Sequence, residues 1–388
     1  MHVETETLFG LLLILSLGLI VPDIFKKTLH LPFVTSLIII GSIFGPYGLD
    51  IIESNEIIEF FGFLGFTFLM LMAGLETHIS ELKKAIGKIS ILASINAGIP
   101  FVVGLSIGRL FGYGWATSLL LGTIFVSSSV AIIVSFSKSG RFSKTVKDIM
   151  LPAFVIEDLL SMILLASIFQ SAGENAAYPL PVYFLILIFS IVILFVSIPP
   201  ISKYFIRRHI LTKKIRHEDQ VRYVMVLLIA VLLYFSALGV HPILAAFLVG
   251  MLLADLITSE IIFTKIQTLG YGLFVPVFFF IIGMDMDLTI FTHLDVKNLL
   301  IMSVIFGLIL SKLISGFAAG KIVKLNNKDA TMFGAVSTTQ LTTTLAAAYA
   351  GFSLGLFDET LVTAVVTLSI VTNIFVPVSM RWISRWER

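Results

Sequence analysis

Thirteen apolar segments follow one another along this 388-residue chain, and they leave it few folds to choose from. Apolar runs of this length recur from end to end, as in a membrane-spanning chain. Inside lipid every backbone N–H and C=O must find its partner within the structure, which a helix provides. The segments run Leu8–Ile24, Leu31–Leu49, Phe60–Leu75, Ile89–Phe111, Trp115–Phe136, Ile149–Phe169 and Pro181–Ile201. They continue as Val221–Leu238, Ile243–Ile257, Leu269–Ile282, Val296–Val323, Ala330–Ala350 and Leu361–Met380. The composition agrees: 57% of residues are apolar and 13% charged, against about 25% charged in a soluble domain. The expected fold is an all-α integral membrane protein of about thirteen transmembrane helices. Absence of cysteine excludes disulfides, thiolate metal sites and cysteine nucleophiles. The acidic start, with Glu4 and Glu6 and no small-residue cleavage site, reads as no cleavable signal peptide.

Charge placement gives an orientation. With the N-terminus outside and the loops alternating, 23 of the 26 Lys and Arg residues fall on the cytoplasmic side. Arg109 and Lys297 fall outside and Lys312 within a span, so the positive-inside rule predicts N-out and C-in. A weak internal repeat points to the architecture. Ala73-Gly74-Leu75-Glu76 recurs as Ile282-Gly283-Met284-Asp285 at an offset of 209, and Ser127-Ser128-Ser129 as Ser337-Thr338-Thr339 at 210. His30-Leu31-Pro32 with Gly41 is echoed by His241-Pro242 with Gly250. That offset is seven segments, an odd number, so the halves would be inverted: segments one to six mirror eight to thirteen, joined by segment seven. Inverted repeats are a common build for secondary transporters, with the ion site near the midplane at their interface.

Two carboxylates stand where they cost most. Glu157 and Asp158 occupy the middle of segment six, and Lys312 lies as deep in segment eleven. Each charge costs at least about 2.5–3.5 kcal/mol at the bilayer centre, so such residues mark ion or proton pathways. Consecutive helical residues point about 100° apart. One acid therefore lines a cavity while the other faces a neighbour, for which segment eleven with Lys312 is the candidate. Burial favours the neutral form of an ionisable group, so cation and proton can compete for one anionic site. The competing reading is an ion triad that only holds helices together.

Hydroxyl runs lie at matching depth in segment five, Ser127-Ser128-Ser129, and segment twelve, Ser337-Thr338-Thr339-Gln340 followed by Thr342-Thr343-Thr344. They predict two crossed, broken helices whose hydroxyls and freed carbonyls offer hard oxygen donors to an alkali cation. Alternatively these side chains back-bond to the preceding turn. Glu76, Asp285 and Asp287, at segment ends, read as solvated interfacial charges. The seven histidines show no metal-ligand spacing, and the basic stretch from Lys203 to Arg222 reads as a cytoplasmic linker.

These residues resemble the monovalent cation:proton antiporter-2 family over essentially the whole chain. The marks are Glu157-Asp158, the preceding Ser127–Ser129, Pro276-Val277-Phe278-Phe279-Phe280 with Gly283-Met284, and Lys312. The resemblance implies a mobile core domain (86–170 and 296–383), a dimerisation domain (1–76 and 221–287) and a linker helix (181–205). It implies that Asp158 carries Na⁺ and H⁺ with Ser127, Ser128 and Ser129 nearby, that Lys312 pairs with Glu157, and that the protein is a homodimer. Relatives more often carry Asn, Asp or Gln where this chain has Glu157; the retained negative charge favours electrogenic exchange. Arg388 follows soon after segment thirteen, so no C-terminal nucleotide-binding domain is expected and Na⁺ is favoured over K⁺.

The expected activity is thus exchange of Na⁺, or of Li⁺ or K⁺, for H⁺ across the cell membrane by alternating access. No cofactor and no nucleic-acid partner is expected, and the bilayer is the surrounding medium. A sodium-coupled organic-anion symporter of the same plan is one rival, with Lys312 as its only deep anion donor. A cation channel or receptor-like sensor is another. An enzyme is not expected, because no nucleophile–base pair, metal cluster or phosphate loop is found.

Overall fold

The computed structural model describes residues 5–28, 33–77, 87–128, 144–172, 179–210, 217–238, 240–254, 260–286 and 296–383. Among them every regular element is helical. The helices are α1 (Thr5–Thr28), α2 (Phe33–Phe44), α3 (Glu56–Glu76), α4 (Lys88–Leu110) and α5 (Trp115–Val126). Next come α6 (Lys144–Ala172), α7 (Leu180–Ile210), α8 (His217–Ala237) and α9 (Pro242–Ala254). Then follow α10 (Glu260–Leu269), α11 (Val275–Met284), α12 (Val296–Ile322), α13 (Asn327–Ser337), α14 (Thr342–Ser353) and α15 (Glu359–Ile383). Nine spans in the described residues are long and apolar enough to cross a membrane. The remaining four of the thirteen apolar segments are α2, α5 and α9, each of 12 or 13 residues, and the interrupted pair α13–α14.

Local chemistry sets several boundaries. Asn55 caps α3 by accepting from the N–H groups of Ile57 (3.2 Å) and Ile58 (3.1 Å). Asn326 caps α13 in the same way, accepting from Asp329 N–H at 2.7 Å. Segment ten is longer than its apolar run, beginning at Glu260 and passing through a π-helical turn, Gly270–Phe274, into α11. Pro276 sits near the start of α11 and has no N–H to offer the carbonyl four residues back. The preceding Val275 N–H bonds Gly270, five residues back, and the helix continues after one wide turn.

Lipid offers no hydrophobic drive for helix to meet helix, so close packing through small residues matters most. A methyl on Gly41 of α2 would lie 3.0 Å from the Cα of Gly283 on α11 and overlap the Phe280 carbonyl. A methyl on Gly74 of α3 would lie 2.9 Å from Gly250 Cα on α9 and overlap the Phe247 carbonyl. Gly104 of α4 meets Gly122 of α5, and Gly316 of α12 meets Gly334 of α13, again backbone to backbone. Helices α1, α2, α3, α8, α9 and α11 pack chiefly on one another, as do α4, α5, α6, α12, α13, α14 and α15. Contacts between these sets run mainly through α14 on α3 and α9 on α6, and α7 touches both α6 and α9.

Candidate functional site

Two helix interruptions face each other in the second set. Helix α5 stops at Val126, and Ser127 and Ser128 are extended or irregular. Helix α13 stops at Ser337, and α14 restarts at Thr342 after Leu341, whose backbone (φ −147°, ψ −89°) is not helical. Each stop leaves carbonyls without intrahelical donors, and side chains supply them. The hydroxyls of Thr338 and Thr339 donate to Ala335 and Val336 carbonyls, each at 2.7 Å. For these two residues the back-bonding reading describes the protons. Ser369 (2.8 Å) and Asn373 (3.1 Å) donate to the Gln340 carbonyl.

The two breaks are tied together. Gln340 Nε2 donates to the Ser127 carbonyl at 2.8 Å, and Gln340 Oε1 accepts from Thr344. The Ser128 hydroxyl lies 2.9 Å from the Ser337 carbonyl and 2.8 Å from Glu157 Oε2, and its single proton serves one of the two.

Beside the breaks stands the ion pair. Lys312 Nζ lies 3.0 Å from Glu157 Oε2, and both side chains are wholly buried. The ammonium also donates to Val126 carbonyl at 2.7 Å and Ser128 Oγ at 3.0 Å, which uses all three of its protons. Lys312 therefore caps the carbonyl end of α5, where a positive charge suits the helix dipole. Glu157 Oε1 accepts from Asn96 Nδ2 of α4 at 2.8 Å. Glu157 therefore has Lys312 and Asn96 as fixed donors, with Ser128 a third when its proton turns that way.

Asp158, one residue on, is treated differently. It is 5% exposed, the Ser128 backbone lies against it, and its Oδ1 has no hydrogen-bond partner. With both acids ionised, Lys312 balances one of them and a single negative charge remains. The arrangement suits one small cation, or a proton, at Asp158.

The structure thus brings Glu157, Asp158, Ser127, Ser128, Lys312, Ser337 and Gln340 into one network, with Thr338 and Thr339 sealing the end of α13. Ser129 and Asp287 lie outside the described residues. Glu76 and Asp285, at the ends of α3 and α11, are partly buried rather than freely solvated. Glu76 interacts through space with Asp158 and with Tyr271. Asn96 carries no signal beyond being polar within an apolar run, whereas Thr344 belongs to the hydroxyl run of segment twelve. Among the described residues no group of three or more His, Asp or Glu side chains could hold a metal ion.

Comparison with known proteins gives the family. The family model described as sodium/hydrogen exchanger, transmembrane, matches residues 11–386. A probable Na(+)/H(+) antiporter 3 of Methanocaldococcus jannaschii is 32% identical over 378 residues, covering 96% of this chain and 95% of that protein. The Na(+)/H(+)-K(+) antiporter GerN of Bacillus cereus is 28% identical, with 98% and 96% covered. Among solved structures, the sodium proton antiporter MjNhaP1 of Methanocaldococcus jannaschii at pH 8 superposes with a TM-score of 0.73 at 20% identity, covering 98% of each chain.

Proposed function

Because this chain belongs to the sodium/hydrogen exchanger family, we propose that it is a secondary antiporter exchanging Na⁺ for H⁺ across the cell membrane by alternating access. The observation that carries this reading is the unequal treatment of two adjacent acids. Glu157 is saturated by Lys312, Ser128 and Asn96, whereas Asp158 keeps a buried, unpartnered Oδ1 beside the broken helices. A carboxylate so placed takes either a cation or a proton, and exclusive occupancy is what couples their fluxes.

The finer assignment follows the same residues. We place the chain in the monovalent cation:proton antiporter-2 branch on Glu157-Asp158 and Lys312, with electrogenic exchange in which the Glu157–Lys312 pair takes part in the second proton. Residues 1–76 and 221–287 act as the dimerisation scaffold of a homodimer. Residues 86–170 and 296–383 move as the transport core, and 181–205 link them; the two sets of mutually packed helices support this division. Two inverted repeats are supported by the glycine contacts. A shift of 209 residues turns Gly41 into Gly250 and Gly74 into Gly283, so the Gly41–Gly283 and Gly74–Gly250 contacts exchange places, as a pseudo-twofold axis requires. The N-terminus is placed outside and the C-terminus in the cytoplasm by the loop charges.

A K⁺/H⁺ exchanger is the second reading, favoured by GerN, named for both ions. Purified protein in proteoliposomes with an imposed pH gradient decides between them. Addition of Na⁺ collapses the gradient if the reading holds; collapse by K⁺ alone selects the second reading, and no response to Na⁺, Li⁺ or K⁺ refutes both.

A further inference from the structure

Lys312 has two carboxylates within electrostatic reach, Glu157 and Asp158, yet hydrogen-bonds only the first. Something must hold it there, since a lysine on Asp158 would occupy the place of the cation. Val126 and Ser128 receive two of its protons, but the third goes to Glu157 Oε2 only while that carboxylate is turned toward it. The turn is fixed from the other oxygen. Asn96, fully buried on α4, donates Nδ2 to Glu157 Oε1 at 2.8 Å.

The orientation of Asn96 is itself determined. Its Oδ1 accepts the Ser315 hydroxyl of α12 at 2.9 Å, and the Ser337 hydroxyl of α13 lies at 3.4 Å. A flipped amide would set Oδ1 against a carboxylate oxygen, two acceptors face to face, and would leave Nδ2 on the hydroxyls. The network therefore admits one orientation. The Ser337 proton has its shorter partner in the Gly334 carbonyl at 2.9 Å, so Asn96 is tied to the lysine helix through Ser315 and to the acid through its amide.

We propose that Asn96 is a positioning residue that holds Glu157 on Lys312, keeps the ammonium off Asp158, and so leaves Asp158 free for the transported cation. This rests on the antiport reading for its transport consequence, though not for its consequence on Na⁺ binding. Asn96→Leu keeps the branched shape and the number of heavy atoms and removes both halves of the amide. Glu157 then loses a charge-assisted hydrogen bond and can swing, Lys312 spends time on Asp158, and Na⁺ must displace it. Loss of one bond to a charged group corresponds to a change of about tenfold or more in the equilibrium it biases.

The test uses the full-length protein, measuring Na⁺-dependent thermal stabilisation in nanodiscs and Na⁺-driven H⁺ flux in proteoliposomes. The Na⁺ concentration for half-maximal stabilisation and the apparent KM for Na⁺ both rise about tenfold in Asn96→Leu, by a larger factor than kcat falls. Ser315→Ala, which removes the nearer donor onto Asn96 Oδ1, shows the same split more weakly and supplies the answer if Asn96→Leu does not fold. Unchanged Na⁺ affinity in the folded variants, with loss only of stability or kcat, overturns the proposal and leaves Asn96 a structural side chain. Na⁺ binding without exchange in the unmutated protein refutes the antiport reading while the affinity comparison still judges Asn96. A protein that Na⁺ does not stabilise at all overturns both.

Discussion

Removing the ammonium of Lys312 while keeping its stem, as in Lys312→Met, isolates what the charge does. In the structure the group donates three hydrogen bonds, to Val126 carbonyl, Ser128 Oγ and Glu157 Oε2, with no exposure to solvent. Methionine fills most of the volume and restores none of the bonds. Glu157 is left as a buried carboxylate with Asn96 and Ser128 as its donors and no counter-charge. Breaking a buried pair on one side costs about 3–5 kcal/mol. An orphaned carbonyl at the end of α5 costs about 1–3 kcal/mol in its own right, and because the two losses share one deletion they overlap rather than add. The expected destabilisation at neutral pH is about 4 kcal/mol, a fall in apparent melting temperature of about 5 °C by the size scaling of unfolding entropy. Glu157→Gln placed on Lys312→Met recovers most of the loss, because a neutral amide needs no counter-charge. Thermal scans in nanodiscs at one fixed rate, across pH 5 to 9, measure all three proteins. A Lys312→Met protein that melts within a degree of the unmutated one at every pH would mean that the pair stabilises nothing, and the charge ledger of the site would be wrong. A stable Lys312→Met protein that remained electrogenic would remove the pair from the second proton's path.

Other expectations follow from single contacts. Asp158→Asn folds normally, since the change fits the same space, and loses exchange with every cation; full retained flux in proteoliposomes would rule Asp158 out as the carrier. Gln340→Leu removes the donor to the Ser127 carbonyl and leaves it unsatisfied, so transport slows at least about tenfold; unaltered flux would show that the breaks need no bridge. Gly74→Ala drives a methyl into the Phe247 carbonyl and costs about 1–3 kcal/mol, read as a lower melting temperature, whereas the same change at Gly98, which has open space, costs far less. Asp285, just beyond the end of α11, has its carboxyl pushed up from 3.8 to about 7 by burial, with Glu59 and Glu359 adding repulsion. It keeps its proton on folding over pH 4 to 7 while the unfolded chain has lost it, so its ionisation in the folded protein opposes stability progressively across that window. Asp285→Asn therefore raises the melting temperature above pH 7 and leaves it unchanged below pH 4; equal shifts at both ends would contradict the burial argument.

What the sequence disclosed, and what it hid, divide along physical lines. Apolar runs announce spans because lipid tolerates little else, and each of the thirteen runs contains helix. The interruption in segment twelve is visible because six hydroxyls and an amide crowd one apolar stretch. Depth also made Glu157, Asp158 and Lys312 conspicuous. Asn96 was not, since one amide in segment four resembles any helix-gluing polar residue until its partners are placed. The donation from Lys312 to Val126 carbonyl joins residues 186 apart, and no spacing rule reaches that far. Glu76 and Asp285 were misjudged because a segment end in sequence is not a surface in space: both residues are partly buried. The start of segment ten was placed late because the polar turn through Glu260 and Lys265 hides a helix that Pro276 modifies and does not end.

Competition for Asp158 is the centre of the account, and calorimetry of Na⁺ binding tests it most directly. Titrating the purified protein in buffers of different ionisation heats counts the protons released as each Na⁺ binds. The account predicts proton release on Na⁺ binding at a pH where Asp158 is protonated, and loss of both binding and release in Asp158→Asn. Na⁺ binding that releases no proton at any pH from 5 to 9, or that persists with its release intact in Asp158→Asn, would contradict it.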